Sequence, residues 1–218
     1  MTVLLAILTF LVILFILWMQ KERQHVPCEA KLKKLQIQPE RPLVPEGYCF
    51  HPSHTWLLDE GAGKVRVGVD GFIVQLFGEI DHIEVARRHR WIRQGQKLMT
   101  VCRGGISVDL LSPAEGAVKD VNEAARLDLG LVTRDPYVRG WILRLESTDT
   151  ATDQKNLLQG NIAKIWMHNT FACLGEVLSR LAPQFVQSVG TPPKGALAMV
   201  SPEMQTRLVS EFLVTRAL

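Results

Sequence analysis

Turn-forming residues return at short intervals between Gly47 and Glu146, and this punctuation constrains the fold more than any other feature. Residues 55–58 and 64–69 read as two short strands joined by Asp59-Glu60-Gly61-Ala62-Gly63, where acids and glycines suit the φ values of a hairpin. Asp70 is placed to cap a short helix over 71–77, with Gly78 as its stop. A strand is expected at 80–85. Segments 97–101 and 106–111 then flank Cys102-Arg103-Gly104-Gly105, a tight hairpin. Ser112-Pro113-Ala114-Glu115-Gly116 is another turn, 117–121 another strand, and 140–146 closes the set. Many short strands at near-regular spacing predict a mainly β domain, a small sandwich or barrel.

Ahead of this domain, residues 3–19 form a continuous uncharged apolar run, VLLAILTFLVILFILWM. Its length sits at the lower edge of what a helix needs to cross a hydrocarbon core of ~30 Å, and Trp18 suits the membrane interface. A cleaved signal peptide would need a basic start and a small-residue cleavage site. No Lys or Arg precedes the run, and Trp18-Met19-Gln20-Lys21 is no such site. An uncleaved single-pass anchor over 1–20 is therefore expected. Lys21, Arg23, Lys31, Lys33, Lys34 and Arg41 follow it. Lys and Arg flanking a span tend to stay on the cytoplasmic side, so the soluble domain is expected in the cytoplasm, at the inner membrane. Cys28, Cys49, Cys102 and Cys173 show no close paired spacing, which fits thiols in a reduced compartment.

Residues 21–46 read as a basic, proline-rich stalk, since Pro27, Pro39, Pro42 and Pro45 disfavour continuous helix. The net charge of +3 is too small to imply nucleic acid as a partner.

Within 47–146 a set of motifs falls in order. His54-Thr55-Trp56 precedes the Val67-Gly68-Val69 strand, and Leu76-Phe77-Gly78-Glu79-Ile80 follows it. Then come the Arg93-Gln94-Gly95-Gln96 turn, Ser112-Pro113 with Gly116, Val121-Asn122, Asp135-Pro136-Tyr137 and Gly140-Trp141. In this order and spacing the segment resembles the H protein family of the glycine cleavage system. The resemblance implies a lipoyl-type β-sandwich (a barrel-sandwich hybrid). It also implies a carrier whose lipoate hangs from one lysine in a Glu-Ser-x-Lys-Ala-x-x-Asp hairpin. Counting back without gaps from Ser112-Pro113, Asp109 matches and the lysine falls on Gly105. Lipoate is attached through an amine, so no lipoate or other cofactor is expected here. Lys97 and Lys119, the nearest lysines, belong to flanking strands.

Other candidates are weaker. Cys49, His51 and His54 lie close in sequence, but a zinc site usually takes four ligands and no second cluster is evident, so no metal is expected. Cys102 is a candidate thiol beside the hairpin tip, with Arg103 next to it. No nucleophile–base–orienter set stands out, so no catalytic residue is assigned and an enzyme is not expected. Arg87, Arg88, Arg90, Trp91 and Arg93 form the best positive feature, because Arg and Trp concentrate at interaction hot spots. In a tethered domain they would meet a protein partner or anionic lipid.

Beyond 146 the chain reads as a helical extension over 147–218. An amphipathic helix is expected from 153 to 181, interrupted at Gly160. Residues 184–194 read as a linker. A last helix opens at Ser201-Pro202, with Val200, Met204, Leu208, Phe212 and Leu213 as its apolar stripe. The expected protein is a membrane-anchored, non-lipoylated accessory or scaffold subunit that docks a protein partner in a membrane-associated complex. The alternatives are a lipoyl-type carrier of glycine cleavage and a thiol-dependent carrier using Cys102.

Overall fold

The computed structural model describes residues 44–181 and 192–213. The expected anchor at 1–20 and most of the stalk at 21–46 lie outside them. Among the described residues no helix is long and apolar enough to cross a membrane.

The strands are β1 (Tyr48–His51), β2 (Thr55–Gly61), β3 (Lys64–Val69), β4 (His82–Val85), β5 (Trp91–Ile92), β6 (Lys97–Arg103), β7 (Ile106–Leu111), β8 (Gly116–Val121), β9 (Leu143–Ser147) and β10 (Leu158–Gln159). They form a seven-stranded sheet, β10-β1-β2-β3-β9-β8-β5, and a three-stranded sheet, β4-β6-β7. All pairings are antiparallel. The expected mainly β sandwich is therefore present. Apolar residues fill the space between the layers, with Phe50, Trp56, Val67, Phe72, Leu98, Leu110, Val118 and Leu145 fully or almost fully buried.

The short helix α1 (Gly71–Phe77) forms as the sequence predicts. The Asp70 carboxylate accepts from the N–H groups of Phe72 and Ile73, at 3.0 and 3.2 Å. Gly78 ends the helix at φ 72°, donating its N–H to Val74. Asp70 also receives His54 Nδ1 at 2.8 Å, in a pair that is almost wholly shielded from water. One carboxylate thus satisfies both the helix start and a buried imidazole, as buried polar groups require.

Three expectations need correction. The hairpin after β2 turns at Ala62-Gly63, both at positive φ, because β2 runs on through Asp59 and Glu60 with a bulge. The strand expected at 80–85 begins only at His82. The helix expected from 153 to 181 is three elements: α4 (Thr150–Lys155), the strand β10 and α5 (Gly160–Leu181), after α2 (Glu123–Leu127) and α3 (Gly130–Arg134). Cys49 and Phe50 of β1 pair with Gln159 and Leu158, and that edge captures the chain before helix resumes at Gly160, φ 52°.

α5 buries Ala163, Met167, Phe171, Leu174 and Leu178 along one stripe. The last helix, α6 (Pro202–Phe212), begins at Pro202 as expected, although the Ser201 side chain makes no capping bond. The C-terminal segment packs on α1. Gly195 N–H donates to the Gln75 carbonyl at 2.8 Å, and the Phe72 ring lies 5.4 Å from Phe171 and 5.5 Å from Phe212.

Candidate functional site

The hairpin tip is built by ladder register. Arg103 pairs with Ile106, leaving Gly104-Gly105 as a two-residue turn with φ 55° and 84°. Positive φ at both positions is the signature of a type I′ turn, which matches the right-handed strand twist. Gly104 N–H donates to Asp81 Oδ2 at 2.8 Å, which ties the tip to the chain entering β4. A Cβ placed on Gly105 would meet nothing within 4 Å.

The lysines nearest the hairpin in sequence are ion-paired. Lys97 pairs with Asp109 at 2.6 Å, and Lys119 with Glu146 at 2.6 Å. Burial opposes ionisation of Asp109, but hydrogen bonds from Lys97 and Thr100 hold its carboxyl below the usual carboxylate range. Arg103 lies against Gly78 and Gly195, where a Cβ on Gly78 would stand 2.8 Å from its Nη1. That nitrogen is buried with no hydrogen-bond partner among the described residues.

Cys102 is a half-buried free thiol, as is the more deeply buried Cys49, whose pKa burial raises. The Cys102 Sγ lies 3.3 Å from Ser107 Oγ, and His82 faces Cys102 across β4–β6. Cys173 is disulfide-bonded, which departs from the expectation of four thiols.

The histidines weighed as metal ligands are occupied otherwise. His51 Nδ1 is 2.7 Å from Ser53 Oγ and accepts the Ser53 N–H. Burial, then the neighbouring His54, pushes its pKa down to about 4. His54 stacks between Phe72 at 4.3 Å and Trp166 at 5.0 Å. Among the described residues no group of three metal-ligating side chains converges.

The basic segment is not one open loop. Trp91 and Ile92 form β5 and pair with Ala117 and Gly116 of β8. Arg88 bonds Asp120 at 3.0 Å and reaches Glu123 at 3.6 Å. Arg87, Arg90 and Arg93 have no ion pair among the described residues, and Trp91 is 47% exposed. Trp91 lies on a strand of the seven-stranded sheet, whereas Gly105 sits in the turn joining two strands of the three-stranded sheet.

One connecting residue escaped the sequence reading. Asp153 is buried, receives Glu115 N–H at 3.0 Å and Ser147 Oγ–H at 2.7 Å, and so anchors α4 to the turn before β8. Nothing in its sequence neighbourhood distinguishes it from an ordinary helical acid.

Comparison with known proteins bears on the same region. An H protein of Thermus thermophilus is 29% identical over 106 residues, covering 49% of this chain and 82% of that protein. The one from Aliivibrio salmonicida is 28% identical over 112 residues, covering 51% and 88%. Both are described as glycine cleavage system H proteins. A solved H protein from Mycobacterium marinum is 25% identical, covering 48% of this chain and 87% of its own, with a TM-score of 0.45. The family model for the glycine cleavage H-protein matches residues 48–169, running past residue 146 through α4 and β10 into α5. With that match spanning more than half of its 218 residues, the chain belongs to the glycine cleavage H-protein family.

Proposed function

We propose that this chain is a family member without lipoate, tethered by residues 1–20 and serving as a docking or scaffold subunit at the cytoplasmic face of a membrane-associated complex. One observation supports the reading: the hairpin turn between β6 and β7, where the count from Ser112-Pro113 puts the attachment position, is Gly104-Gly105, and neither residue carries an amine side chain. The two lysines nearest in sequence are ion-paired on strands away from the turn. A carrier needs a covalent arm, and a plain turn supplies only surface. The exposed Trp91, with Arg87, Arg90 and Arg93 beside it, supplies residue types that dominate protein interfaces.

Intact mass after co-expression with a lipoyl ligase tests the central claim. The expected mass is that of the unmodified chain, and a gain of one lipoyl group would return the protein to the carriers of glycine cleavage.

A second reading has its own observation, the Cys102 thiol facing His82 and Ser107 on one row of the three-stranded sheet. The two separate by mutation. Trp91→Ala with Arg90→Ala is expected to weaken partner retention in detergent co-purification by ~2 kcal/mol or more, the usual loss at a central hot spot. Cys102→Ser is expected to leave it unchanged. The opposite pattern would favour the thiol.

A further inference from the structure

The three-stranded sheet has an open edge. Ala86 N–H donates to the Leu98 carbonyl, so by register Glu84 and His82 also turn their backbone groups toward β6. Ile83 and Val85 therefore turn theirs outward. Neither their N–H nor their C=O groups have a hydrogen-bond partner among the described residues. Ile83 is nevertheless 8% exposed. Backbone groups in such surroundings are nearly always paired, and an edge strand is a template for a further strand.

Beside this edge lies a pocket of about 220 Å³. Ile83, Val85, Val121, Leu129 and Ile142 give it apolar walls, and His82 and Arg126 stand among its lining residues. β4 leads directly into the basic segment. Arg88 in that segment bonds Asp120 and reaches Glu123, which flank the pocket residues Val121 and Asn122. Arg87 and Arg90 beside it have no acidic partner among the described residues.

We infer that β4 is a docking edge for an extended, acidic peptide segment of a partner protein. The segment would add a fourth strand to β4-β6-β7, bonding to the outward groups of Ile83 and Val85. One apolar side chain would enter the pocket, and flanking carboxylates would face Arg87 and Arg90. Main-chain bonds supply affinity in this mode and the side-chain pocket supplies selectivity. The inference rests on the docking function proposed above and names the chemistry of the partner.

The test uses the full chain in detergent and a fluorescein-labelled peptide of alternating Asp and Val or Leu, read by anisotropy. Saturable binding is expected, about tenfold or more weaker for the same peptide with Lys in place of Asp. N-methylating alternate amides of the probe, on the face that meets β4, is expected to weaken binding about tenfold or more and requires no change to the protein. Val85→Pro removes an outward N–H without touching the β6 ladder, and proline is tolerated on such an edge. It is expected to weaken the acidic peptide similarly, while circular dichroism stays that of the parent chain.

Equal binding of methylated and unmethylated probes would overturn the inference. So would equal binding of the acidic and basic probes, or no saturation. A change in oligomeric state on Val85→Pro without peptide binding would assign the edge to a second copy, and also overturn it. Co-purification separates the two levels: a Val85→Pro chain that keeps its complex, beside a Trp91→Ala, Arg90→Ala chain that loses it, leaves the docking function standing and removes the edge.

Discussion

Placing a lysine at position 105 tests whether this hairpin can hold a carrier's geometry. The Gly105→Lys side chain would leave the tip into open space, since a Cβ there meets nothing within 4 Å. Its cost is conformational. Gly105 sits at φ 84°, and an L-residue in the left-handed region loses about 1–2 kcal/mol relative to glycine. Against a typical domain stability of about 5–15 kcal/mol, that leaves the protein folded. For a domain of this size the loss corresponds to a Tm lower by about 2–8 °C.

Gly104, the other turn residue, stays glycine, so the type I′ geometry keeps one unrestricted position. Co-expression with a lipoyl ligase, followed by intact mass and differential scanning fluorimetry, reads both effects. The parent chain is expected to stay unmodified and the variant to gain one lipoyl group. A folded variant that is never lipoylated would refute the placement of Gly105 at the attachment position. A fall in Tm well beyond about 8 °C would refute the open-space geometry.

Gly68→Ala probes the core: its Cβ would lie 2.5 Å from Cζ2 of Trp56, a ring with no exposed surface whose Nε1 donates to Val69 at 2.8 Å. Overpacking plus disturbance of that bond predicts a loss of about 2–4 kcal/mol in urea unfolding, and an unchanged midpoint would contradict it. His51 has a folded pKa depressed to about 4, so its neutral form belongs to the fold. Its contribution is full above the unfolded value near 6.5 and is lost as pH falls from there toward about 4, by about 1–2 kcal/mol after allowing for solvent screening. His51→Asn, whose Oδ1 can still accept the Ser53 N–H, is expected to flatten this part of the stability curve; an identical curve would reject the assignment. For topology, a reporter fused after Leu218 is expected to be active in the cytoplasm, and maleimide labelling of Cys173 before and after reduction gives an independent reading. Stable oxidation of Cys173 in growing cells, with an inactive cytoplasmic reporter, would place the domain on the oxidising side instead.

The helix at Gly71–Phe77 was legible because its signals are local: Asp70 before it, Gly78 after it, apolar residues between. The β6–β7 hairpin was legible for the same reason, two glycines between two apolar strands. β10 and β5 were not legible. Each is two residues long and exists only because a distant strand offers an unpaired edge, β1 for Leu158–Gln159 and β8 for Trp91–Ile92. Leu157 and Leu158 also fit the helical spacing, so the local pattern favoured the element that tertiary pairing displaced. The Arg segment was visible as composition. That Arg88 is spent on Asp120 and Glu123 while Arg87 and Arg90 are not depends on residues distant in the chain. The pocket beside β4 is assembled from strand, turn and helix pieces separated along the chain, and no window contains it.

The C-terminal segment narrows where a partner can bind. An apolar stripe of this kind can pack on its own domain or on a neighbour. Leu197, Val200, Leu208 and Leu213 are all buried, and Phe212 stands against the Phe72 ring of α1. Those residues are satisfied within the chain and have little apolar area left to offer, so burial against a partner would gain little at ~25 cal/mol per Å². Among the described residues the outward backbone at Ile83 and Val85, the guanidinium groups without an acidic partner at Arg87 and Arg90 and the half-exposed Trp91 lie in one continuous stretch of chain, while the other exposed large apolar side chains, Leu127, Val138, Ile162, Ile165 and Met199, stand apart from it. Truncation of α6 should therefore lower stability before it touches binding, and substitutions between 83 and 91 should do the reverse. A chain ending at Gly195 that folds with an undiminished Tm but loses its partner would show that the C-terminal helix, not the β4 edge, carries the interface.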